Sequence, residues 1–373
     1  MSGDQGPLRG LKVIELAGIG PAPFAGMLLA DLGADVVRVD RVGPGSPLSG
    51  DPRYDLLNRG KRSIAADLKS DADRELVLSL AERAAVLIEG YRPGVAERLG
   101  VGPEAALARN PALVYARMTG WGQDGPLAAS AGHDITYLAI TGALHAIGRA
   151  GGPPQVPANL LGDFGGGSLY LVVGVLAALR EAERTGRGQV VDAAITDGAA
   201  HLTTLLYGLS AEGRWRDERG VNILDTGAPF YDVYPAADGG YLAVGALEPQ
   251  FYAEFIRLLA PGDDLPAQYD IARWPELRAR IAAAFETRTR QEWAAVFEGT
   301  EACVAPVLSL SEAARHPHLE ERGTFESPGG VRQPAAAPRF SLTPPGPVGR
   351  PALPGEHTRE VLADWKVTGT EPA

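Results

Sequence analysis

Between residues 11 and 40 the chain packs strand, turn, helix and strand into a space that admits few folds. Leu11–Leu16 (LKVIEL) is a short apolar run rich in β-branched residues, which predicts a buried strand. The turn Gly18-Ile-Gly-Pro-Ala-Pro23 follows, then a helical pattern from Phe24 to Leu32 that stops at Gly33, then a second strand at Asp35–Asp40 (DVVRVD). This is a βαβ unit, so the expected sheet is parallel and the fold class α/β with a Rossmann-like large domain. The same alternation continues with a helix at Ala72–Ala84 and strands at Ala85–Glu89, Leu113–Met118 and Gln189–Ala194. A helix is expected from Asp197 to Leu209.

Near residue 210 the texture changes. Gly213–Gly227 is polar and charged and reads as a linker. Tyr231–Tyr234 and Tyr241–Val244 flank Ala-Ala-Asp-Gly-Gly, a hairpin signal, and helices are expected at Gln250–Leu259, Pro275–Phe285 and Arg290–Phe297. That is a second, smaller α+β domain. From Gly329 to Gly355 prolines recur too often for regular structure. The expected organisation is a large domain over 1–205, a linker over 206–228, a small domain over 229–325 and a proline-rich segment over 326–373.

The formal net charge of -11 leaves no broad basic surface for nucleic acid, so an anionic ligand needs a local cluster of Arg and Lys. Cys303 is the only cysteine, which excludes an intramolecular disulfide and a cysteine-built metal site and fits a cytoplasmic protein. Within Ala302-Cys-Val-Ala-Pro306 it reads as a small buried apolar residue. Met1–Gly10 does not read as a secretory signal, and Leu169–Leu179, the most apolar stretch, is too short for a membrane span. The six histidines show no metal-binding spacing, and no metal is expected; His145, His201, His316, His318 and His357 read as structural or surface residues.

Three acid/base residues stand beside glycines or at element boundaries. His133, in Gly132-His-Asp134, precedes an expected helix start, where unpaired backbone N–H groups favour developing negative charge. Its imidazole suits proton transfer near neutral pH, and an ordinary polar residue at a helix start fits the segment as well. Asp163, in Gly162-Asp-Phe-Gly-Gly-Gly-Ser168, is placed to cap the following helix. Each of the three glycines after it costs a helix up to ~1 kcal/mol relative to alanine, which implies that something bulky approaches this backbone closely. Glu248, before Pro249, reads by itself as a carboxylate beside a helix N-terminus. Candidate anion-binding side chains are Arg38, Arg41, Lys61, Arg62, Lys69, Arg92 and Arg98, several at the C-terminal ends of expected strands.

Longer motifs add to this reading. They are Pro7-Leu-x-Gly-Leu-Lys-Val-Ile-Glu-Leu16, Leu32-Gly-Ala-Asp-Val-Val-Arg-Val-Asp40, Asn58-Arg-Gly-Lys-Arg-Ser63 with Asp67-Leu-Lys69, and Glu89-Gly-Tyr-Arg-Pro-Gly94 with Glu97-Arg-Leu-Gly100. Thr119-Gly-Trp-Gly-Gln-Asp-Gly-Pro126, Gly186-Arg-Gly-Gln-Val-Val-Asp192 and Pro354-Gly-Glu-His-Thr358 follow in order. Together they resemble the class III CoA-transferase (CaiB/BaiF) superfamily, and within it the α-methylacyl-CoA racemases. The loop from Gly43 to Tyr54 departs from the family pattern.

The resemblance implies an interlocked homodimer, an acyl-CoA thioester as substrate and no cofactor beyond the CoA that the substrate carries. It implies that His133, Asp163 and Glu248 are catalytic and that the backbone N–H of Asp134 stabilises the enolate oxygen. It further implies CoA binding by Arg41, by Ala66, Asp67, Leu68 and Lys69, by Gly90, Tyr91, Arg92 and Arg98, and by Gly132, Ile135, Thr136 and Tyr137. The implied reaction is interconversion of (R)- and (S)-2-methylacyl-CoA by α-proton removal and return. The alternative within the superfamily is CoA transfer between carboxylic acids through an acyl anhydride on Asp163.

Overall fold

The computed structural model describes residues 5–43, 50–262 and 264–367. Residues 44–49 of the departing loop, the first four residues of the N-terminal stretch and the end of the tail lie outside the described residues. In chain order the elements are β1 (Lys12–Leu16), α1 (Pro21–Asp31), β2 (Asp35–Asp40), β3 (Arg62–Ala65), α2 (Asp71–Ala81), β4 (Val86–Glu89), α3 (Val95–Arg98), α4 (Pro103–Arg109), β5 (Val114–Thr119), α5 (Asp134–Ala139) and α6 (Ala143–Ala146). A π-helical segment (Leu160–Ser168) leads into α7 (Leu169–Thr185), followed by β6 (Val190–Ala194), α8 (Ile195–Leu202), α9 (Thr204–Ala211), β7 (Tyr231–Pro235), β8 (Tyr241–Gly245), α10 (Pro249–Leu259), α11 (Trp274–Phe285), α12 (Arg290–Phe297), β9 (Val304–Val307), α13 (Leu310–Ala313) and α14 (Pro317–Glu321). The two-residue strands β10 (Phe325–Glu326) and β11 (Gln333–Pro334) and the helix α15 (Thr358–Asp364) complete the chain.

The chain divides into two compact units. The first holds the described residues within Met1–Thr141, Ala158–Leu202 and Glu320–Ala373. Its core is a parallel sheet of six strands in the order β3-β2-β1-β4-β5-β6. Both faces are covered, which is why the strands are continuous apolar runs. Ile14, Leu16, Val37, Val39, Leu87 and Tyr115 face one layer that includes Leu76, Leu80 and Trp365. Val13, Val36, Val86, Ile88, Val114 and Ala116 face the other, with Leu29, Leu171 and Val175. The chain winds outward from β1 through β2 to β3, then resumes at β4 on the other side. The crevice between β1 and β4 is therefore the topological switch point.

The second unit comprises Gly142–Pro157 and Thr203–Leu319. β7, β8 and β9 form an antiparallel sheet, and Phe255, Phe285, Trp293 and Phe297 build its core with Leu242 and Val244. Before that sheet, the polar stretch expected as a linker is ordered in part by Asn222 and Asp225, both buried and bonded to each other at 2.8 Å.

Several expectations need correction. β3 was not foreseen, because its four residues Arg62–Ala65 begin with a charge. The expected helix over Asp197–Leu209 breaks at Thr203 into α8 and α9. Asp163 is not a helix cap: it lies inside the π-helical segment, whose N-cap is Asn159. The helical run Leu160–Thr185 has 26 residues, so it is long and apolar enough to cross a membrane where the shorter stretch was not. In this fold it lies against the sheet, with Leu171, Val172, Val175 and Ala178 in the core. Cys303 is exposed rather than buried and sits in a left-handed backbone conformation at φ 53° just before β9.

The glycine run is explained by helix packing rather than by a ligand. A Cβ on Gly166 would lie 2.7 Å from the Ala199 nitrogen, and one on Gly198 would lie 1.8 Å from the Gly166 carbonyl oxygen. The π-helical segment and α8 thus meet backbone to backbone. Gly198→Ala should lower the unfolding free energy by about 1–3 kcal/mol, since backbone has no rotamer with which to give way. Gly208→Ala on α9 meets nothing within 4 Å and should instead raise it by about 0.5–1 kcal/mol. Urea denaturation of the two variants checks the contrast.

Candidate active site

A cavity of about 600 Å³ opens at the switch point. Its walls come from the Gly18–Pro23 turn after β1, Gly90–Pro93 after β4, Met118–Trp121 at the end of β5, the start of α5 and the π-helical segment. All of these belong to the first unit. His133 and Asp163 both line it.

His133 is the N-cap of α5 through its backbone, with φ -139° and ψ 168°. The cap bond is made by Thr136, whose Oγ1 accepts from the His133 N–H at 3.0 Å. Asp134 is the first residue of α5, where backbone N–H groups have no intrahelical acceptor. Its carboxylate turns back instead: Oδ1 accepts from the Asp163 N–H at 2.7 Å, and the Gly162 N–H also donates to it. A Cβ on Gly162 would sit 2.3 Å from that oxygen, so this approach requires glycine. Asp134 thereby fixes the start of α5 to the turn that carries Asp163.

The Asp163 carboxyl is held against the β1–α1 turn. A Cβ on Gly20 would lie 3.2 Å from its Oδ2, and Gly20 itself has φ 69°. Phe164 stacks on Phe24 of α1 at 4.3 Å, and Ser168 donates to the Pro21 carbonyl at 2.7 Å. Burial pushes the Asp163 carboxyl up to about 6, the nearby Asp134 charge adds to this, and a hydrogen bond from Asn159 and the field of His133 oppose it. A carboxyl that titrates near neutrality both takes and gives protons readily. The π-helical turn is a form that recurs at functional sites.

Tyr137 fills a slot between two glycines. A Cβ on Gly120 or Gly132 would lie 2.0 or 2.5 Å from its ring, and Trp121 packs edge-on at 4.7 Å. Among the expected ligand-side residues, Gly90, Tyr91, Arg92, Gly132 and Tyr137 line the cavity, whereas Arg41, Ala66, Asp67, Leu68, Lys69, Arg98, Ile135 and Thr136 do not.

The basic side chains sort into two sets. Arg38 pairs with Asp40, Lys61 with Glu15, and Arg62 with Asp35 and Asp364, so these three anion candidates are occupied within the fold. Arg41, Lys69, Arg92 and Arg98 are exposed and, among the described residues, enter no ion pair. Glu248 lies in the second unit as the N-cap of α10, with an exposed side chain that makes no cap bond. Asn159, Gly20, Asp55 and Asn58 also line the cavity without being among the expected site residues, although Asn58 opens a motif and Gly20 lies in the turn after β1.

Comparison with known proteins follows the same lines. The pattern of CoA-transferase family III matches residues 8–358. The α-methylacyl-CoA racemase of Mus musculus is 47% identical over 362 residues, covering 96% of this chain and 93% of that protein. Its Homo sapiens counterpart is 46% identical with the same coverage, and the acetyl-CoA:oxalate CoA-transferase of Acetobacter aceti is 33% identical, covering 90% of each chain. A crystal structure of a CaiB/BaiF family protein from Brucella suis superposes with a TM-score of 0.83 at 27% identity, covering 97% of this chain and all of the other.

The raised Asp163 value has a stability consequence with a definite sign. Below about pH 4 both folded and unfolded chains hold the neutral acid. Between there and 6 the unfolded chain ionises first, and above 6 the fold bears the full cost of the buried charge. Asp163→Asn should therefore be more stable than the parent at pH 8, with the gain disappearing by pH 4. Denaturation at both pH values checks it; a gain that grows on acidification would contradict the assignment.

Proposed function

The chain belongs to CoA-transferase family III, and we propose that within it this protein is a racemase interconverting (R)- and (S)-2-methylacyl-CoA thioesters. What carries the proposal is the placement of Asp163, whose carboxyl burial pushes up to about 6, in the same cavity as the imidazole of His133. A nucleophilic aspartate works best fully ionised, whereas proton shuttling near neutrality favours the raised value. Identity near 47% to proteins named as this racemase supports the same choice.

The α-proton of a thioester is weakly acidic, so its removal needs a base on the correct face and a stabiliser for the enolate oxygen. Inversion needs an acid on the opposite face. In the proposed mechanism His133 serves one face and Asp163 the other, and the thioester oxygen accepts from the Asp134 N–H at the start of α5. A second copy of the chain supplies Glu248 to orient His133. An exposed apolar row on α7 (Leu169, Val173 and Leu176, at 49%, 66% and 37%) supports such a homodimer.

The phosphates of CoA are proposed to sit among Arg41, Lys69, Arg92 and Arg98, which enter no ion pair among the described residues. Backbone of Ala66, Asp67, Leu68 and Lys69 and the segments Gly90–Arg92 and Gly132–Tyr137 complete that path. Anchoring so far from the reacting carbon fixes it between the two bases. Proton transfer of this kind calls on no metal or redox cofactor, and the proposed setting is the cytoplasm.

Two variants separate the bases. His133→Ala and Asp163→Ala should each lower racemisation by about 10²–10⁴. Each should still exchange the α-proton of one enantiomer without inversion, and the two variants should retain opposite enantiomers. Exchange followed by NMR in heavy water reads this. Loss of the same enantiomer in both variants, or trapping of an acyl group on Asp163 by hydroxylamine during transfer to a free acid, would replace the racemase with a transferase.

A further inference from the structure

Four polar side chains form a hydrogen-bonded line from the core to the cavity wall. Glu15 on β1 is 0% exposed, Lys61 before β3 is 3% exposed and Asn58 is 5% exposed. The Lys61 ammonium donates to Glu15 Oε2 at 2.7 Å, to the Pro23 carbonyl at 2.9 Å and to Asn58 Oδ1 at 2.9 Å. An ammonium only donates, so the Asn58 amide oxygen must face it and the amide nitrogen must face away. That nitrogen donates to Asp55 Oδ2 at 2.7 Å. Pro23, Asn58 and Asp55 all line the cavity.

Such a line is an expensive way to fill a core. Burial pushes the Glu15 carboxyl up and the Lys61 ammonium down, and Glu15 Oε1 has no hydrogen-bond partner. Apolar side chains of equal volume would avoid that penalty. What the line achieves is orientation: it fixes one oxygen of Asp55 on Asn58, while among the described residues the other accepts no hydrogen bond, on a residue that lines the cavity.

An acyl-CoA has four chemically distinct parts: the acyl chain, the pantetheine arm, the phosphates, and the adenosine that lies beyond the phosphates and farthest from the thioester. A carboxylate repels the phosphates and gains nothing from a hydrocarbon chain. The pantetheine arm, by contrast, carries amide N–H groups and a hydroxyl. We propose that Asp55 is a specificity-determining residue whose free carboxylate oxygen accepts a hydrogen bond from the pantetheine arm, with Asn58, Lys61 and Glu15 as its positioning residues. This rests on the acyl-CoA reading of the cavity.

The test reads binding without turnover. Affinities of S-decyl-CoA and S-decyl-pantetheine, thioethers that have no acidic α-carbon, would be measured by calorimetry. Asp55→Asn keeps the volume and the bond to Asn58 but turns an N–H₂ toward the ligand, so it should weaken both probes about tenfold. Asn58→Ala should weaken both as well, and the double variant should be no weaker than Asp55→Asn alone. Unchanged binding of S-decyl-pantetheine to Asp55→Asn would overturn the proposal, whether or not S-decyl-CoA is weakened; weakening of S-decyl-CoA alone would move the contact to the adenine amino group. Parent protein that fails to bind S-decyl-pantetheine at millimolar concentration would overturn it too. A parent protein that binds both thioethers but exchanges no α-proton would sink the racemase reading and leave this one standing.

Discussion

The carboxylate of Asp134 ties together the two segments that carry the acid/base residues. α5 and the π-helical segment are separated by twenty residues of chain, including a stretch assigned to the other compact unit. Oδ1 of Asp134 accepts from the backbone at Asp163 and at Gly162. With that clasp closed, His133 at the N-cap and Asp163 in the wide turn line one cavity. The cost is visible in the same place: Asp134 Oδ2 is buried without a partner, and burial together with the neighbouring Asp134 charge raises Asp163. The feature that holds the site together therefore also tunes its acid.

Electrostatics divide along a similar line. In a chain with an acid excess, most basic residues near the sheet are tied down. Arg59 holds Asp31 and reaches Gln333 and Pro334, so a basic residue in the first third secures the tail against the first unit. Lys61 and Arg62, from the same motif, are equally committed. Arg41, Lys69, Arg92 and Arg98, which enter no ion pair among the described residues, follow β2, β3 and β4, on the side where a parallel sheet binds ligands. A local positive region on an acidic protein steers an anion to one place rather than to the whole surface.

Much of the first unit could be read from its short runs with β-branched residues, of which β1, β2, β4, β5 and β6 each hold at least one. β3 could not, since an edge strand of four residues opening with Arg62 has too little signal. The glycine run after Asp163 announced a close approach correctly, but only the tertiary structure could say that the neighbour was α8. The apolar neighbours of Cys303 in sequence do not fix its burial, because which side of the chain faces solvent is decided by tertiary packing. His133 and Asp163 stood out through their glycines. Asp55 and Asn58 did not, since their meaning lies in Lys61 and Glu15, which the chain brings to them through sheet pairing.

The most direct measurement of the central claim is deuterium wash-in at the α-carbon of separate (R)- and (S)-2-methylacyl-CoA samples in heavy water, with no acceptor acid present. Two acid/base residues on opposite faces of one enolate require label to enter from both enantiomers and optical purity to fall together with it. Exchange confined to one enantiomer without inversion, or no exchange until a free carboxylic acid is added, would contradict the account.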